Sequence, residues 1–83
     1  MFNHWFGICS FCHQGRLFVF KNITNGNLYL HCEECERGWV NPDEVHDKNK
    51  SFLTLSQDFE AVEANEGDIE KYGWKIFKLH KEK

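Results

Sequence analysis

The first clear pattern along the chain is Arg16-Leu-Phe-Val-Phe-Lys-Asn22, an apolar run of β-branched and aromatic residues closed by polar ones, which predicts a strand. Thr24-Asn25-Gly26-Asn27 follows, and Asn-Gly between two such runs is a hairpin signal. Leu28-Tyr-Leu-His31 is then the return strand, and Gly38-Trp39-Val40 a short third one. Alternation puts Leu17 and Val19 on one face of the first strand, with Phe18 and Phe20 on the other. The Phe18/Phe20 face is expected to be the core, covered by Trp74, Ile76, Phe77 and Leu79. Asn41-Pro42-Asp43-Glu44 reads as the start of a helical turn, with Asn41 as N-cap and Pro42 at the first helical position.

Polar residues 46–51 read as a loop, and Ser51–Leu55 as another strand. Phe59 to Ala64 is ambiguous by period. Asn65-Glu-Gly-Asp68 has the form of a capping box with Asp in the usual Glu position. It predicts a helix over Glu66–Lys71, with Ile69, Tyr72 and Ile76 on one face and Gly73 ending or interrupting it. Trp74–Leu79 is a second apolar stretch whose solvent side is marked by Lys71, Lys75 and Lys78. The last four residues are expected to fray.

These elements predict one α+β domain over residues 1–83: a ribbon of antiparallel hairpins at 5–45, a loop at 46–51, and a strand and short helix at 52–80 packed on the ribbon. Its 83 residues leave a thin core, and chains of this length are commonly stapled by disulfides or a metal. Sixteen per cent of the residues are aromatic, so a few large rings can anchor what core there is.

The staple is legible in Cys9-Ser-Phe-Cys12 and Cys32-Glu-Glu-Cys35. Two residues between cysteines let one tight turn present both sulfurs to a single ion. Nineteen residues separate the pairs, enough for a hairpin that brings the second back to the first. Four thiolates saturate tetrahedral Zn²⁺ and leave no open position, so Cys9, Cys12, Cys32 and Cys35 are expected to hold one structural zinc; iron uses the same ligand set. Each pair belongs to a repeat, C-x2-C-x2-G, and Gly15 and Gly38 are expected to let the chain leave each turn at positive φ. His13 and His31 flank ligands without being needed as ligands themselves.

No apolar run approaches the roughly 20 residues of a membrane helix, and Met1-Phe-Asn-His-Trp-Phe6 lacks the basic and apolar regions of a signal peptide. A cytoplasmic location is therefore expected, which favours metal over disulfides. No nucleophile, base and orienter combine into a catalytic set, and no Gly-rich phosphate loop is present, so a non-enzymatic role is expected.

Charge then points to a partner. Residues 32–70 hold twelve acids and three bases, whereas residues 71–83 hold five lysines and one acid. Glu33, Glu34, Glu36, Asp43, Glu44 and Asp47 crowd around the second cysteine turn and are the expected contacts for a basic protein partner. So acidic a middle repels phosphate backbones, and nucleic acid is the alternative, through the C-terminal lysines and the ribbon aromatics.

Residues 9–40 resemble the zinc-ribbon class, a small metal-stabilised fold with two zinc knuckles. The stretch Leu28-Tyr-Leu-His-Cys-Glu-Glu-Cys-Glu-Arg-Gly-Trp-Val-Asn-Pro-Asp-Glu-Val45, with Asp68-Ile-Glu-Lys-Tyr-Gly-Trp74, resembles small bacterial immunity proteins of polymorphic toxin systems, contact-dependent growth inhibition among them. That resemblance implies a protein that binds and neutralises a cognate toxin domain.

Overall fold

The computed structural model describes residues 3–54, 60–77 and 79–82. Its frame is one antiparallel sheet built from β1 (Asn3–Ile8), β2 (Arg16–Asn22), β3 (Leu28–Cys32), β4 (Arg37–Trp39), β5 (Phe52–Leu53), β6 (Ala61–Glu63) and β7 (His80–Glu82). The strands lie in the order β5-β4-β3-β2-β1-β7. β3 occupies one edge of β2, so β1 and β6 share the other. β1 meets it at Arg16 and Phe18, and β6 at Phe20 to Asn22.

The β2–β3 hairpin is the best-formed pair, in register from Leu17↔Cys32 to Lys21↔Leu28. Its turn is built by asparagines, as the Asn-Gly signal predicts. The Asn22 carboxamide oxygen accepts from the amides of Thr24 (2.9 Å) and Asn25 (3.2 Å), and Gly26 takes a φ of 79°. β4 falls one residue earlier than expected, leaving Val40 exposed, and Asn41 caps a 3₁₀ turn at Pro42–Glu44. A second 3₁₀ turn, Lys48–Lys50, sits inside the expected loop. β5 covers two residues of the expected strand at 51–55, of which Leu55 lies outside the described residues, as does Phe59.

The expected core face is reversed. Leu17 and Val19 are fully buried, joined by Leu28, Leu30, Trp39, Ala64 and Ile69, while Phe18 and Phe20 are only half-buried. The aliphatic face is the one that Trp39, Ala64 and Ile69 cover, and the rings tile the opposite face. There Phe20 contacts Tyr29 and His31, and Tyr29 contacts Phe52. The C-terminal segment packs on the aliphatic side: Trp74 and Leu79 lie against the buried cluster and Phe77 meets Phe6 edge-on, but Ile76 is 77% exposed. Trp39, fully buried, donates from its indole nitrogen to the Asp47 carbonyl (3.0 Å) and so ties the 46–51 segment to the core.

Helix α1 (Glu66–Lys71) begins at the expected capping box. The Asn65 side chain accepts from the Asp68 amide (2.8 Å) and the Asp68 carboxylate accepts from the Asn65 amide (3.2 Å). Gly73, at φ 74°, stops it, which is why Ile76 does not continue its face. Residues 80–82, expected to fray, are instead ordered. β1 pairs with β7, and Trp5 stacks on His80 with ring centroids 4.3 Å apart, so residues 80–82 are a strand and not a frayed tail. Among the described residues, no helix is long and apolar enough to cross a membrane.

Candidate metal centre

The hairpin register decides where the cysteines meet. Cys32 ends β3 beside Leu17, on the buried face, while Cys9 follows β1 directly. The two cysteine turns therefore sit side by side at one end of the β2–β3 pair. The four Sγ atoms lie within 4.8 Å of one another, and the thiols are free. Two contacts run between the turns, Cys9 to Cys35 and Cys12 to Cys32, each 3.6 Å. Four sulfurs at the usual zinc–sulfur bond length of about 2.3 Å stand about 3.8 Å apart on a tetrahedron. The thiols already have nearly that spacing, so the site can hold one metal ion with small movements.

Backbone amides aim at the sulfurs. Phe11 N lies 3.3 Å from Cys9 Sγ, Gly15 N 3.4 Å from Cys12 Sγ, and the amides of Glu34 and Cys35 each 3.4 Å from Cys32 Sγ. Such donors spread the charge of a thiolate. Amides of Gly15 and Gln14 lower the Cys12 thiol to about 6, whereas burial pushes Cys32 up to about 12 and raises Cys35. Ionising all four together in this partly buried pocket requires a compensating cation, and a divalent ion supplies it.

The two turns are conformational copies, although not as the glycine repeat suggested. Positive φ falls on the residue after each second cysteine, His13 (58°) and Glu36 (64°), and not on Gly15 or Gly38. The glycines are there for closeness. A Cβ on Gly15 would sit 2.4 Å from Cys32 Sγ, and one on Gly38 would sit 2.5 Å from Thr54 Cγ2 and 2.6 Å from the Leu30 carbonyl.

Thr54, which nothing in the sequence singled out, clamps the second turn. Its amide and hydroxyl both donate to the Glu36 carbonyl, at 3.0 and 2.8 Å. The hydroxyl proton being used there, His31 Nδ1 carries its own proton toward Thr54 Oγ1, 2.6 Å away. His31 is thus a half-buried bracing residue, its pKa lowered by burial against the opposing charge of Glu36. His13 is exposed. In the first turn the Ser10 hydroxyl donates to the Val45 carbonyl.

The six acids differ in what holds them. Glu33 is held by Arg16, through Nε at 2.8 Å, a second guanidinium nitrogen at 3.1 Å and the Arg16 amide at 2.9 Å, which lowers its pKa. Glu44 stands 3.9 Å from Lys50, and the Asp47 carboxylate accepts from the Asn49 amide. Among the described residues Glu34, Glu36 and Asp43 have no ion pair, and all three are exposed. Comparison of the chain with models of known protein families, with characterised proteins and with solved structures finds no match.

Proposed function

We propose that this chain is a non-catalytic zinc-ribbon module that binds a basic protein partner, and that it serves as an immunity protein neutralising a cognate toxin domain in the bacterial cytoplasm. The ion is a single structural Zn²⁺ on Cys9, Cys12, Cys32 and Cys35, whose saturated coordination leaves no position for substrate.

The observation that carries the partner reading is how the second cysteine turn presents Glu34 and Glu36. The Glu34 amide is tied to Cys32 Sγ and the Glu36 carbonyl is doubly held by Thr54, while both side chains project into solvent. Acids on backbone fixed in this way need little ordering on binding, and they steer a basic partner into place. Asp43, whose amide donates to the Asn41 carboxamide oxygen, is a third exposed acid of the proposed contact set. Co-purification with the product of a neighbouring toxin-like gene, and rescue of growth when that toxin is expressed, is the test. Glu34→Lys together with Glu36→Lys should slow association and flatten its salt dependence. No co-purification and no rescue refutes the immunity reading.

One observation favours a nucleic-acid role instead. The Arg37 guanidinium lies 4.0 Å over the exposed Phe11 ring and that of Arg16 4.9 Å over Phe18, the kind of pairing on which bases stack. Sub-micromolar binding of single-stranded nucleic acid near physiological salt, read by anisotropy, would establish that role and displace the first.

A further inference from the structure

A second candidate site lies away from the cysteines. Where the β2–β3 turn approaches β5, an open pocket of about 470 Å³ is walled by Leu28, Tyr29, Val40 and Phe52. That volume falls in the range of small-ligand sites, about 300–1,000 Å³.

Its polar lining is Asn22, Asn25, Asn27 and Lys50. Asn22 is 8% exposed, and its carboxamide oxygen already accepts two amides of the turn. The Asn25 oxygen accepts from the Asn27 amide at 2.9 Å. With both lone pairs of its oxygen taken, Asn22 has only NH₂ donors left to offer, and Asn25 and Asn27 add further NH₂ donors beside their oxygens. Lys50, more than half exposed, adds an ammonium at the rim. The pocket therefore pairs an aromatic and aliphatic wall with hydrogen-bond donors and a cation.

We infer that this pocket binds a carboxylate attached to an apolar, preferably aromatic, group. The ring lies against Phe52 and Tyr29, and the carboxylate meets Lys50 and the asparagine amides. Lys50 is paired with Glu44 at 3.9 Å, with both side chains well exposed. A contact so long and solvated is weak, and the ligand carboxylate competes with it. The carboxylate can belong to a free small molecule or to the C-terminus of a peptide ending in an aromatic residue. The inference does not depend on the partner proposed above.

The test is ¹⁵N NMR titration of the metal-loaded protein with phenylacetate and phenylacetamide, and with a tripeptide ending in Phe as its free acid and as its C-terminal amide. An acid should shift the amides of Lys50, Phe52 and the 22–28 turn, and its amide counterpart should not. Response to the peptide acid alone identifies a chain terminus as the source, and response to phenylacetate identifies a free small molecule. Lys50→Gln, a surface change, should weaken binding about tenfold, and Glu44→Gln should tighten it. Failure of both acids at millimolar concentration overturns the inference. So does equal binding of acid and amide, or a Lys50→Gln variant that binds as well as the parent.

Discussion

Gly15→Ala alters no ligand, yet it should damage the metal centre. The added methyl carbon would lie 2.4 Å from Cys32 Sγ and 3.0 Å from both Cβ and Cγ of Glu34. Ordinary contact begins near 3.4 Å, so the sulfur or the turn has to retreat by about 1 Å. Metal–ligand distances tolerate about 0.2 Å. The turn has little room to move, because the Gly15 amide points at Cys12 Sγ and its carbonyl accepts from the Cys9 amide at 2.8 Å. Overpacking of this kind costs about 1–3 kcal/mol. Disturbing the surroundings of a ligand lowers metal affinity about 10- to 100-fold. The assay is zinc competition against a chromophoric chelator, alongside thermal unfolding. Gly7→Ala is the control, since nothing lies within 4 Å of its added carbon. It should be neutral or stabilising by up to about 1 kcal/mol. If Gly15→Ala keeps its zinc as tightly as Gly7→Ala, the close-approach reasoning is wrong.

Other expectations follow from the packing. Leu17→Ala should cost about 2–5 kcal/mol in denaturant unfolding and Phe20→Ala clearly less, because Leu17 is fully buried and Phe20 is half-buried; equal losses would restore the aromatic face as the core. His4 is 95% buried, and among the described residues neither ring nitrogen has a hydrogen-bond partner, so His4→Leu should stabilise by about 1 kcal/mol or more, and a destabilised variant would mean those nitrogens are satisfied. Arg16 lowers the Glu33 pKa, so that pair stabilises the fold above the ordinary glutamate range and the contribution fades as pH falls through the lowered value. In Glu33→Gln that part of the acid sensitivity should vanish from unfolding curves, with a stability loss at neutral pH below about 1 kcal/mol.

Much of the site was legible because its signals are local. The paired C-x2-C spacing, the Asn-Gly turn and the Asn65/Asp68 capping box each act within a few residues, and each appears where expected. What failed depended on three-dimensional neighbours. Alternation in β2 shows two faces but not which one is covered. That choice was made by Trp39, Ala64 and Ile69, which arrive from distant parts of the chain. The C-x2-C-x2-G repeat correctly marked two glycines, but their reason is steric closeness to Cys32 and Thr54, visible only once β3 and β5 are in place. The pairing of β1 with β7 joins opposite ends of the chain, and no local pattern announces it. Of the acids, Glu33 is ion-paired with Arg16, a residue 17 positions earlier, which a charge count along the chain does not show.

The central claim is that one zinc ion on Cys9, Cys12, Cys32 and Cys35 is part of the fold. Its direct test is elemental analysis of the purified protein together with circular dichroism and NMR before and after chelation under reducing conditions. One zinc per chain is expected, with cooperative loss of structure when the metal is removed and recovery when zinc is returned. A chain that stays fully folded without metal, with its thiols reduced, would contradict it.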